Sequence, residues 1–299
     1  MDKCIVCGNN EWKSYCKIEN KYDVIGCKQC SFFKLDPLPT EKELNEFYSG
    51  LYRKKYSSQD EVNLDVIGYE QKRANRVINI VKKHFKKEYR NILDIGCSSG
   101  TLLKNLGSLS DQPNLYGIEM NDNYRKYIKS EKIAQEENIT NDDIENYFIG
   151  RENKFDFISI VHVLEHLRNP QKALESIYTL LDKNGLLYIE VPNLKTPYGD
   201  LRKNYFIMYH LYYFSDVTLQ LLLEKIGFSI LEKKQIANTS ICFVCSKVGP
   251  QTTSLNSTEY NNVIKKLKNY ELFFPILSLK KYPIKLLQSM GIQKLLGKK

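Results

Sequence analysis

From residue 90 to about 249, short apolar runs alternate with segments of helical periodicity, and this alternation constrains the fold more than any other feature. NILDIG (91–96), NLYGIE (114–119), the weaker IAQEEN (133–138), KFDFISIV (154–161) and GLLYIEVP (185–192) read as strands. Between and after them, helices are expected over 99–108, 121–131, 169–181 with Pro170 in the first turn, and from a Ser215 cap to a Gly227 stop. FSILEKKQIA and SICFVCSKVG close the series as an antiparallel pair. Strands joined through helices with right-handed crossovers give an α/β fold, a doubly wound and mostly parallel sheet. Its ligand belongs at the carboxyl ends of the strands, near the switch point.

The first strand ends there in D-x-G-x-x-x-G, with Asp94, Gly96 and Gly100. A P-loop needs Lys-Ser/Thr after its last glycine, and none follows Gly100. A dinucleotide loop reads G-x-G-x-x-G, which is not this spacing. Glu119, at the end of the second strand, can accept hydrogen bonds from both hydroxyls of a ribose. A ribose clamp without a phosphate cradle points to a nucleoside ligand that has no pyrophosphate.

The chain has 299 residues and eight cysteines. Four of these form two C-x-x-C pairs, Cys4/Cys7 and Cys27/Cys30, at the spacing of a four-thiolate zinc site. Four thiolates leave no position open to water, so this zinc is expected to be structural, in a segment too short for its own core. Cys16, Cys242 and Cys245 read as packing. After Asp36-Pro37 and Pro39, Thr40 and Glu43 form a capping-box pattern ahead of a helical stretch over 40–85.

Net charge is +9, but residues 251–299 hold nine lysines against two acids, so the remaining body is nearly neutral. That distribution argues against a nucleic-acid-binding body. The lysine- and leucine-rich tail suits a solvated face, a membrane surface or a second subunit. No apolar run reaches the roughly 18–20 residues of a membrane span and no secretory leader opens the chain, so the expectation is a cytoplasmic protein.

LDIGCSSG, YGIEMN and FDFISIVHVLEHLRNP resemble the first, second and fourth motifs of class I S-adenosylmethionine-dependent methyltransferases, over about 90–249. The cysteine pairs, the PLPTEKELNEFY stretch and HLYYFSDVTLQLLLEKIGF (210–228) resemble a bacterial subgroup with a zinc ribbon ahead of that domain. Many of its members act on sugar nucleotides, polysaccharides or other small metabolites. Ser98-Ser99 departs from the commoner Gly-Thr or Gly-Ser of the first motif. The resemblance implies a seven-stranded Rossmann-like sheet and four parts: a zinc ribbon over 1–36, a helical linker or lid over 37–89, the cofactor domain over 90–249 and a basic helical extension over 250–299. It implies S-adenosylmethionine and a structural zinc ion as the bound groups. Asp94, Gly96, Cys97 and Gly100 would then surround the methionyl part and Glu119 would hold the ribose. Met120 would lie on the adenine, with Asn138 at its edge and Val161 and His162 at the fourth strand.

A sulfonium methyl is already activated, so the enzyme's task is to align a nucleophile and, for oxygen or carbon, to remove a proton. Of four histidines, His84 lies in a lysine-rich stretch and reads as surface. His166, with Glu165 beside it, and His210 are the candidate bases. His162 and His166 also stand at the spacing of a metal pair, with no third ligand legible. The implied function is methyl transfer to an O, N or C atom of a small metabolite, most readily a sugar, sugar nucleotide or surface-polysaccharide precursor. The alternatives are a zinc-ribbon methyltransferase of ribosomal RNA and a non-catalytic scaffold.

Overall fold

The computed structural model describes residues 2–47, 64–145, 147, 154–251 and 259–279. Two sheets organise it. The larger contains β4 (Asn91–Ile95), β5 (Asn114–Ile118), β6 (Ile139–Thr140), β7 (Phe155–Val161), β8 (Leu181–Pro192), β10 (Phe228–Ile236) and β11 (Ser240–Lys247). Their order is β10-β11-β8-β7-β4-β5-β6. The pairs among β4 to β8 are parallel, whereas β11 runs antiparallel to both β8 and β10. The chain starts in the middle at β4, moves outward to β6 and then crosses back to β7. The switch point therefore lies between β4 and β7, where Leu93, Asp94 and Ile95 pair with Ile158, Ser159 and Ile160.

The central strands are apolar on both faces because helices cover both. Ile92, Leu93, Phe157, Ile158, Ile160, Leu187 and Ile189 are all fully buried. The covering helices are α2 (Leu64–Val81), α3 (Thr101–Gly107), α4 (Asp122–Ser130), α5 (Pro170–Leu180) and α6 (Asp216–Ile226). Their ends follow the local signals. Asn169 accepts from the Lys172 N–H with Pro170 in the first turn. Ser215 and Thr218 form a reciprocal capping box, and Gly227 at φ 127° stops α6.

The expected third strand over 133–138 is not formed. Those residues make a turn that ends in a short 3-10 helix, Glu136–Asn138, and the strand is the two-residue β6 that follows. Charged Glu136 and Glu137 are exposed and bury nothing against β5, whereas Ile139 is buried opposite Gly117. The expected helix over 40–85 is realised as α1 (Glu41–Phe47) and α2, and its middle lies outside the described residues. The capping box at α1 is present: the Thr40 N–H donates to Glu43 at 2.7 Å and the Glu43 N–H donates to Thr40 Oγ1 at 3.3 Å.

The smaller sheet is antiparallel, in the order β1 (Trp12–Ile18), β2 (Tyr22–Cys27), β3 (Phe33–Asp36) and β9 (Tyr212–Tyr213). Its last strand belongs to the segment that follows β8, so the cysteine-bearing module is hydrogen-bonded into the main domain. Phe32 packs on Tyr212 and Phe214 at ring separations of 5.8 and 5.2 Å. Helix α7 (Glu259–Leu279) packs buried Val263 and Leu267 into a second cluster with Phe33, Leu35, Phe206 and Tyr213. The tail beyond it, on which the membrane and subunit expectations bear, lies outside the described residues. Among the described residues no helix is long and apolar enough to cross a membrane.

Candidate active site

A cavity of about 860 Å³ opens at the carboxyl ends of β4, β5 and β7. Its floor is the loop after β4. Gly96 takes φ 73°, and a Cβ there would lie 2.4 Å from Val163 Cγ2, so only glycine fits. Ser98 follows at φ 48°. Gly100, at φ 75°, starts α3 and faces Ile128 and Ile133 beneath the loop. Asp94 is 3% exposed and accepts from Ser159 Oγ at 2.7 Å. Burial raises its pKa to about 7.

Glu119 lies at one wall of the cavity. Its carboxylate accepts the N–H of Ser98 at 2.8 Å and of Asn121 at 2.7 Å, which ties the floor loop to the start of α4. Burial raises its pKa, against the pull of those two donors. Tyr124 and Asn121 line the same wall. From α2, Val66, Tyr69, Glu70 and Arg73 recur at helical spacing along the cavity, and Glu70 accepts from Ser99 Oγ.

On the opposite wall, the chain leaving β7 turns sharply at His162, φ 55°, into a 3-10 turn over Leu164–His166. His162 sits between two carboxylates, 3.4 Å from Glu165 and 3.3 Å from Glu190. Burial opposes its charge, but the two carboxylates prevail and raise its pKa. Glu190 is held by Arg76 and by the Tyr188 hydroxyl, both at 2.7 Å. Burial works against ionisation of Glu165 and Glu190, yet the histidines beside Glu165, His162 first, and the His162, Arg76 and Tyr188 neighbours of Glu190 lower both to about 2. His166 bonds through Nδ1 to the Tyr209 carbonyl at 2.8 Å, and its ring lies 4.8 Å from that of His210. The Leu211 N–H donates to the Glu165 carbonyl at 2.9 Å, which pins the His210 segment onto the turn. Burial, and then the nearby His166, push His210 down to about 3.

The structure thus brings Gly96, Glu119, His162, Glu165, His166 and His210 to one cavity. Others are placed elsewhere. Cys97 turns into the core, where its Sγ would touch a Cβ on Gly117. Val161 is buried in the sheet, and Met120 is 72% exposed beside the wall. Asn138 precedes β6 and lines a separate cleft of about 520 Å³ at the amino ends of β5 and β6. At the carboxyl end of β6, the Thr140 carbonyl accepts from the Glu119 N–H at 2.9 Å. The sequence reading missed Glu190, Tyr124 and the α2 face. An acid inside the run LLYIEVP was the available signal for Glu190. His84 is half-buried and 3.1 Å from Glu232, away from the cavity.

The four N-terminal cysteines also converge. Cys4 and Cys30 sulfurs lie 3.6 Å apart, Cys7 and Cys27 sulfurs 3.5 Å apart, and all four fall within 4.8 Å of one another. The two C-x-x-C turns are alike, each followed by a residue at positive φ, Gly8 at 76° and Ser31 at 60°.

A family model described as a methyltransferase domain matches residues 69–233. A ubiquinone biosynthesis O-methyltransferase of Glaesserella parasuis is 31% identical over 110 residues, 35% of this chain and 46% of that protein. A tRNA U34 carboxymethyltransferase of Sulfurimonas denitrificans is 30% identical over 126 residues, 40% of each chain. The chain thus spans less than half the length of either relative. Among solved structures, the plantazolicin methyltransferase BamL, crystallised with a desmethyl analogue and S-adenosylhomocysteine, superposes with TM-score 0.52 at 14% identity. That match covers 68% of this chain and 93% of BamL and concerns the fold alone. With the profile spanning more than half of the chain and the sheet order matching, this protein belongs to the methyltransferase-domain family and carries the Rossmann-like fold of the class I S-adenosylmethionine-dependent enzymes.

Proposed function

We propose that this protein transfers the methyl group of S-adenosylmethionine to an O, N or C atom of a small metabolite, most readily a sugar, sugar nucleotide or related polysaccharide precursor. One observation carries the reading: a single cavity joins the β4 loop and the Glu119 wall to a cluster of ionisable side chains on the facing wall. The cofactor, when bound, supplies a methyl on a positively charged sulfur. The chain's residues supply the rest. Gly96 lets the backbone approach the ligand, Glu119 offers carboxylate oxygens to a ribose, and Asp94 stands behind the loop. Glu165, His166 and His210 lie where an acceptor would enter, in reach of a proton leaving it. Tyr198, Ile207 and Tyr209 wall that side, an enclosure suited to a small acceptor.

Four converging thiols fit a zinc ion. Zn–S bonds of about 2.3 Å place tetrahedral sulfurs about 3.8 Å apart, close to the separations present. Zinc here would be structural and would hold β1 to β3 as a wall behind the acceptor side.

The test is label transfer. The protein is incubated with methyl-labelled cofactor and a cell extract split into small-metabolite and RNA fractions. Label in the metabolite fraction supports the reading and supplies a mass for the acceptor. Label in RNA, the outcome favoured by the likeness to a tRNA-modifying enzyme, overturns it.

A further inference from the structure

The cluster on the acceptor wall has a property that proton transfer alone does not require. Glu165 is 1% exposed, and neither of its carboxylate oxygens accepts a hydrogen bond. An ionised carboxylate buried without donors is costly, and the native state keeps such a group where a cation meets it. Its nearest neighbours are His162 Nδ1 at 3.4 Å and His166 Nε2 at 3.7 Å. His166 Nδ1 faces a carbonyl, which only accepts, so Nδ1 carries a proton. Its Nε2 faces the Glu165 carboxylate. His210 adds a third donor to the same spot and is likewise hydrogen-bonded to main chain, at Tyr205. One ligand atom from each of Glu165, His166 and His210 falls within 4.8 Å of the other two.

We propose that Glu165, His166 and His210 form a second metal site, for a divalent transition ion, distinct from the four-cysteine site. The donor set is two imidazoles and one carboxylate, the combination that binds such ions on one face and leaves other positions open. A backbone carbonyl on the far nitrogen of a ligating imidazole is the usual orienting partner. Metal bonds of about 2.0–2.2 Å bring ligand atoms to about 3–4 Å of each other, which small side-chain rotations achieve here. The third ligand was invisible in sequence because His210 is 44 residues from His166 and arrives through the Leu211-to-Glu165 backbone bond. The pair at 162 and 166 is not the ligand pair: His162 bridges Glu165 and Glu190 instead. The open positions face the cavity, so the acceptor class is a molecule with neighbouring oxygen atoms, such as a vicinal diol or hydroxy acid. That last step rests on the proposed methyltransferase reading.

The full-length, zinc-loaded protein is titrated with Mn²⁺ and the free ion is followed by electron paramagnetic resonance. Mn²⁺ prefers oxygen and imidazole donors to thiolates, which separates this site from the cysteines. The expected result is one tightly held equivalent, with selective paramagnetic broadening of the His166 and His210 ring signals in the unmodified protein. Glu165→Gln should weaken binding at least about tenfold, the loss usual even for outer-shell changes. Calorimetry with S-adenosylhomocysteine monitors the fold and the cofactor reading separately. No Mn²⁺ retention by the unmodified protein, or broadening elsewhere, overturns the metal site while intact S-adenosylhomocysteine binding leaves the methyltransferase reading standing. Mn²⁺ retention without S-adenosylhomocysteine binding does the reverse.

Discussion

At the scale of single residues, the site is held by carboxylates whose surroundings differ sharply. Asp94 is buried with one hydroxyl donor, and its ionised form is disfavoured. Its pKa is about 3.8 unfolded and about 7 folded. Below the lower value both states are protonated and nothing is lost. As pH rises through that window stability falls, and above about 7 the full cost is present, a few kcal/mol by linkage. Asp94→Asn, which still accepts from Ser159, should therefore raise the melting temperature at pH 8, with the gain vanishing towards pH 4. A gain independent of pH would contradict the buried charge. Glu119 instead receives two N–H donors and anchors the floor loop. Glu119→Ala should weaken S-adenosylhomocysteine binding about 10- to 100-fold, corresponding to about 1.5–3 kcal/mol for a lost charged hydrogen-bonding group. Calorimetry decides it, and unchanged affinity would remove Glu119 from the ribose site. Gly96 and Glu119 were both legible in sequence, because strand-end chemistry is local. Asn138 was misplaced because a polar turn was read as a strand.

At the scale of elements, helix boundaries followed their signals closely, since capping is settled within four residues. The α6 box, Ser215 with Thr218, is wholly buried. Ser215→Ala should cost about 0.5–2 kcal/mol, read as a lowered midpoint in urea unfolding. A neutral result would mean that packing alone sets that end. β6 shows the limit of periodicity. Two residues suffice for a strand because Ile139 docks on Gly117, a contact that no window along the chain displays. The α2 face is similar: its 3–4 spacing announces an amphipathic helix, but not that one edge looks into a cavity.

At the scale of the whole molecule, the cysteine module and the histidine-bearing wall of the cavity are one unit. β3 pairs with β9, Phe32 packs on Tyr212 and Phe214, and His210 lies two residues before β9. If the thiols hold zinc, chelation should lower the melting temperature and raise KM for the acceptor. It should leave S-adenosylhomocysteine affinity nearly unchanged, because Glu119 follows β5, across β4 from the β7 turn on which the module packs. Equal losses at both sites, measured on the chelated protein, would refute that division.

The alternation of strands and helices, the glycine loop after β4, the four-thiol spacing and the helix caps are all short-range patterns, and the sequence by itself determined them. Backbone geometry and hydrophobic periodicity act over a few residues and leave their mark there. Only the tertiary structure decided that Glu190 and Arg76 brace His162, that α2 walls the cavity, and that His210 joins Glu165 and His166. Those contacts bridge 28 to 114 residues of chain. They exist because the crossover from β6 to β7 and the β3–β9 pairing bring distant segments to the same end of one sheet.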